Sequence, residues 1–147
     1  MNIVPNTILE SPIMQLHDPL IEKMRITVSI KRYDLLHPII HGNKWRKLKY
    51  NLLDFIESGK TEILTFGGPF SNHLYATAAT GKIFDIATRA IVRGPEIDEL
   101  NPTIRFTRAC AMQLHPVSRI EYRQRHEVEY LVQLNAKYPS AFRVPEG

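Results

Sequence analysis

Only one cysteine, Cys110, occurs in the 147 residues, which excludes an internal disulfide framework and any multi-cysteine metal site. It falls in RFTRACAM, a predicted helix, where it reads as a buried structural thiol rather than a nucleophile. Long apolar runs are also missing. Charges interrupt the hydrophobic stretches every few residues, so no membrane-spanning segment is expected. The opening MNIVPNTILE lacks the basic and apolar regions of a secretory signal, and a soluble, cytoplasmic chain is the expectation. His37, His41, His73, His115 and His126 show no paired ligand spacing, and no metal site is expected from them. Repeats, low-complexity tracts and Gly/Ser linkers are absent, so composition marks no internal boundary.

What is present is 44% hydrophobic residues, enough for one globular domain with a core and too little for two. The net charge of +4 permits attraction to phosphates, in nucleic acid or in a small cofactor, without choosing between them.

Periodicity supplies the elements. Residues 25–36 alternate at Ile26, Val28 and Ile30 and predict a strand that runs into His37-Pro38. From Lys44 to about Glu57 a helix is predicted, since Trp45, Leu48, Leu52, Phe55 and Ile56 share a face and Ser58-Gly59 supplies a stop. Strands follow at 62–66, 88–92, 113–117 and 142–144, separated by helices at 71 to about 84, 101–112 and 119–138. This alternation predicts an α/β fold, a short parallel sheet with flanking helices. Such a sheet binds its ligands at the carboxyl edge of its strands, where Gly67-Gly68-Pro69-Phe70-Ser71-Asn72-His73 falls.

Two constellations bear on chemistry. In the first, paired glycines let the backbone turn and a ligand approach, and Ser71 is a good N-cap for a helix whose free N–H groups suit an anion. Asn72 and His73 would add side-chain donors; the alternative is an ordinary capped helix. In the second, His41-Gly42-Asn43-Lys44, a lysine opens a helix at the edge of its apolar arc. Its amine either points inward, where desolvation lowers its pKa and suits it to a Schiff base, or lays its stem on apolar surface with the head in water.

KRYDLLHPIIHGNKWRKLKYNL at 31–52 and TFGGPFSNHLYATAATGK at 65–82 resemble the two signature stretches of the 1-aminocyclopropane-1-carboxylate deaminase and D-cysteine desulfhydrase family. That family belongs to the tryptophan-synthase-β-like pyridoxal-phosphate enzymes. SPIMQL, IVRG, NPTIRF and the closing VPEG extend the resemblance over nearly the whole chain. By this resemblance Lys44 would hold pyridoxal 5'-phosphate and act as a catalytic base. Asn72 would bind the cofactor's phenolic oxygen, and Ser71, as a catalytic residue, would hold the substrate carboxylate with the backbone N–H groups of Asn72 and His73. The implied activity is that of a deaminase or lyase on a small amino acid. The resemblance also implies that residues 1–47 belong to a larger domain and 48–147 form the small α/β domain. The family's glycine-rich loop for the cofactor phosphate is not among the 147 residues, so an inactive chain is expected, completed by a homo-oligomer or a complementing C-terminal fragment. Two departures from the family pattern are Tyr33, where an acidic residue is common, and Asp85, where glycine is expected.

Two other readings compete. One is a non-catalytic α/β binding or assembly module derived from that family. The other is a nucleic-acid surface, suggested by Lys44, Arg46, Lys47 and Lys49 interleaved with Trp45 and Tyr50. Against the latter, Trp45 lies on the apolar stripe and no nucleic-acid motif accompanies the charges, so neither nucleic acid nor membrane is expected as a partner.

Overall fold

The computed structural model describes residues 10–40 and 42–146. Four parallel strands form the main sheet in the order β5-β4-β3-β6: β3 (Glu62–Gly67), β4 (Ala87–Arg93), β5 (Gln113–Val117) and β6 (Ala141–Arg143). β3 lies between β4 and β6, and all six of its residues are buried. A strand covered on both faces needs no polar alternation, which is why EILTFG reads as a short apolar run.

Helices cover both faces. α2 (Lys44–Glu57) puts Trp45, Leu48, Leu52 and Phe55 into one cluster with Ile63, Ala76, Ala79 and Val144. Full burial of each of these large α2 side chains stabilises the fold by roughly 1.5–3 kcal/mol. α3 (Asn72–Phe84) is buried over most of its surface, and its small residues let it lie close to the sheet. At Gly81 a side chain would collide with Thr88 of β4 and the Ile86 carbonyl. On the opposite face, Tyr122, Tyr130 and Leu134 pack on Leu64, Phe66, Ile91 and Val117. Successive residues of β3, Ile63 and Leu64, thus serve opposite layers.

Several expectations change. The helix expected at 119–138 is broken into α5 (Arg119–Arg123), a 3-10 turn (Gln124–His126) and α6 (Val128–Lys137). Tyr122 and Tyr130, eight residues apart, would point about 80° apart on one straight helix; the break turns both toward the same cluster. The helix expected at 101–112 is α4 (Pro102–Ala109), capped by Asn101 and ended by Cys110 and a left-handed Ala111. Cys110 is half-buried at that cap, where burial raises its pKa.

The strand expected at 25–36 shrinks to β2 (Val28–Lys31), followed by a 3-10 turn at Tyr33–Leu35. β2 pairs antiparallel with β1 (Ile13–Leu16), which offers only four residues to pair with, and the short α1 (Pro19–Lys23) connects them. Ile13, Met14, Leu16 and Ile30 of this separate two-stranded sheet are exposed. Among the described residues no helix is long and apolar enough to cross a membrane.

Candidate active site

At the carboxyl end of β3 the chain turns through Gly67 and Gly68 into α3. A side chain at Gly67 would sit 2.5 Å from Leu74 Cγ and 2.9 Å from Ser71 Oγ, so only glycine lets the turn close over the start of the helix. Ser71 is extended at the N-cap, and its Oγ accepts from the backbone N–H groups of His73 (3.2 Å) and Leu74 (3.3 Å). Two of the helix's free donors are therefore satisfied internally. The hydroxyl keeps its own proton to donate.

The His73 side chain does not add a donor at this edge, as its place in the motif suggested; its imidazole turns into the core. It is buried, with Nε2 2.8 Å from Thr65 Oγ1. Thr65 has one proton, and gives it to the Val144 carbonyl at 2.9 Å. The Thr65 oxygen must then accept from Nε2–H, which leaves Nδ1 as a buried lone pair without a hydrogen-bond partner. Burial first, and then the positive charge of Lys44, pulls the imidazole down to about 4, while Glu146 opposes the shift. At neutral pH His73 is uncharged.

Lys44, the first residue of α2, lines a cleft of about 370 Å³ with Gly42, Asn43, Asn72, Tyr75, Asp34 and Ile39. Desolvation lowers the pKa of its amine, the neighbouring Lys47 lowers it further, and Glu146 pulls the other way. Both effects that dominate favour a free amine, the form that attacks a carbonyl.

The structure thus brings Lys44 and Asn72 to one cleft although 28 residues separate them. Ser71 and His73 flank Asn72 in the chain without lining that cleft. His41 lies outside the described residues. Two residues escaped the reading of the sequence. Tyr75 lines the cleft three residues after Asn72, a helical spacing that would have placed it on the same face. Glu146 acts electrostatically on both Lys44 and His73, and nothing in the local sequence signals that. Trp45 is buried and unavailable for stacking on a base. Among the described residues, no three His, Cys, Asp or Glu side chains gather closely enough to hold a metal.

The parallel sheet, with a glycine turn and capped helix beside a helix-opening lysine, has the tryptophan-synthase-β-like α/β fold. Solved structures share it: an ACC deaminase homologue at 25% identity (TM-score 0.75) matches 97% of this chain and 43% of its own. O-acetylserine sulfhydrylase isoform 3 of Entamoeba histolytica, at 17% identity (TM-score 0.67), matches 93% of this chain and 41% of its own. No protein-family model matches the chain. In sequence, the chain is 30% identical to a protein of Thermotoga maritima provisionally named a 1-aminocyclopropane-1-carboxylate deaminase. That match covers 86% of this chain and 41% of the relative. It is also 30% identical to the mitochondrial bifunctional D-cysteine desulfhydrase/1-aminocyclopropane-1-carboxylate deaminase of Arabidopsis thaliana, over 63% of this chain and 24% of the relative. Over most of its length the chain is thus similar, in sequence and in fold, to proteins of the 1-aminocyclopropane-1-carboxylate deaminase and D-cysteine desulfhydrase family. It spans less than half the length of the curated relatives it matches.

Proposed function

We propose that the chain is the lysine-bearing part of a pyridoxal-phosphate-dependent deaminase or β-eliminating lyase for a small amino acid. On this reading it works as a homo-oligomer or together with a complementing segment. The observation that carries it is the joining of Lys44, with its depressed pKa, and Asn72 in one cleft. The cleft's volume is in the range of small-molecule sites, and Asn43 and Asn72 line it beside the amine. These features fit pyridoxal phosphate, which supplies an electron sink for the carbanion left when a bond at the substrate Cα breaks.

The chain's own residues have distinct tasks in this reading. Lys44 would hold the cofactor through its amine and would move the Cα proton. Asn72 would donate to the cofactor's phenolic oxygen. Ser71 donates its free proton to the substrate carboxylate, joined by the backbone N–H of Asn72, while the His73 side chain stays fixed to Thr65. Residues 1–47 belong to a larger domain and 48–147 to the small one; in support, the β1–β2 sheet is separate from the four-stranded sheet. A cytoplasmic location completes the proposal.

The test is titration of the chain with pyridoxal phosphate, followed by borohydride reduction and peptide mass spectrometry. The expected result is a reduced adduct on Lys44, new visible absorbance, and loss of both in Lys44→Ala. Modification spread evenly over the exposed lysines would overturn the assignment.

A further inference from the structure

A second cavity, of about 640 Å³, lies at the same carboxyl edge of the sheet. Arg93, Arg119, Arg123 and Arg125 line it, with Tyr122 and Glu146. Its walls come from points where strands end: Arg93 closes β4, Arg119 opens the helix after β5, and Glu146 follows β6. This is the position at which an open α/β sheet receives ligands.

The charges in it do not cancel. Glu146 is the one carboxylate among the lining residues, and it is already committed: Arg125 Nε donates to it at 3.1 Å and the Tyr122 hydroxyl at 2.8 Å. Arg125 is further held over the Tyr122 ring at 4.8 Å. Arg93 lies 5.9 Å from the same ring, beside Gly68, where a side chain would come within 3.2 Å of the guanidinium. Arg119 and Arg123 make no ion pair among the described residues. Two fixed and two uncommitted guanidinium groups thus face one concavity, and a guanidinium pairs with phosphate or carboxylate through two parallel hydrogen bonds.

We propose that this cavity is a binding site for a small multivalent anion, a phosphate ester or a dicarboxylate, separate from the Lys44 cleft. A concave site with walls from several elements fits a small molecule better than the flat face of a macromolecule. The assignment is independent of the cofactor reading.

Calorimetric titration of the whole chain with inorganic pyrophosphate and with succinate tests it. One of the two binds saturably at a single site, and the Arg119→Gln/Arg123→Gln double variant weakens it by at least about tenfold. Both residues are exposed, so the fold survives, which circular dichroism checks. Lys44→Ala and a Lys49→Gln/Lys60→Gln variant bind as the parent does. Absence of saturable binding overturns the proposal. So does an equal loss in the Lys49/Lys60 variant, which would mean general charge attraction, or in Lys44→Ala, which would place the anion in the other cleft. Binding of an acidic peptide alone would assign the surface to a protein partner instead.

Discussion

The imidazole of His73 and the hydroxyl of Thr65 are joined at 2.8 Å inside the core, and that one contact ties the first turn of α3 to both sides of the sheet edge. Thr65 is central in β3 and fully buried, and its proton goes to Val144, immediately past β6. The carboxyl edge is therefore fastened by a hydroxyl that accepts from a helix and donates to a neighbouring strand's exit.

Thr65→Val keeps the shape but removes both bonds, leaving Nε2–H and the Val144 carbonyl buried and unpaired. Each unsatisfied group costs about 1–3 kcal/mol, so a loss of about 2–6 kcal/mol is expected in urea unfolding. Thr65→Ser restores the hydroxyl and should recover most of it. Equal loss in the two variants would show that the methyl group, not the hydrogen bonds, matters.

The pH dependence follows from His73. The unfolded imidazole takes up a proton near pH 6.5, whereas the folded one refuses it until about pH 4. Between those values the unfolded state binds more protons, so stability falls as pH drops through the window, by roughly 3 kcal/mol in all. Above pH 6.5 His73 contributes no slope. Urea midpoints measured across the window should show this slope in the parent and not in His73→Gln. Because Lys44 is the second cause of the shift, Lys44→Met should raise the folded pKa in an NMR titration.

Asp85 offers a stability gain. It ends α3 in the left-handed conformation (φ 54) at an exposed position, where the resemblance implied glycine. The strain of a side chain there is about 1–2 kcal/mol, offset in part by the greater freedom glycine has when unfolded, about 0.4–1 kcal/mol. Asp85→Gly should stabilise by roughly 0.5–1 kcal/mol, read as a higher thermal midpoint. A lower midpoint would mean that the aspartate side chain contributes more than its backbone strain costs.

Elements with a complete local signature were legible. α2 had an apolar stripe and a Ser-Gly stop, and its limits, Lys44–Glu57, match the reading. β3 was a bounded apolar run, and the Ser71 cap stands where the residue type placed it. Elements failed where a partner set the outcome. β2 extends only as far as the four residues of β1 opposite it, and the break after Arg123 serves a tyrosine pair that must face one core. The site divides in the same way. Composition and spacing left Lys44 with two readings, because the meeting of α2 with α3 is a tertiary event; the family resemblance supplied what local pattern did not. The direction of the His73 ring was illegible, since its partner Thr65 lies eight residues back and is itself oriented by the Val144 carbonyl, 79 residues beyond Thr65.

The last prediction concerns the amine of Lys44, whose pKa is set by three causes of unequal size. Desolvation is the largest, Lys47 adds to it, and Glu146 opposes both. Removing the Lys47 charge must raise the pKa, so Lys47→Gln should slow acetylation of Lys44 by limiting acetic anhydride at neutral pH, scored against Lys49 as an internal standard. Glu146→Gln removes the opposing charge and also frees Arg125 from its ion pair, and both changes push the pKa of Lys44 down. That variant should be acetylated faster. The signs are opposite for two substitutions that each neutralise one charge, so a general change in accessibility would not reproduce the pattern. Equal rates in both variants would mean that burial alone sets the amine, and that Glu146 exerts no useful field on the cleft.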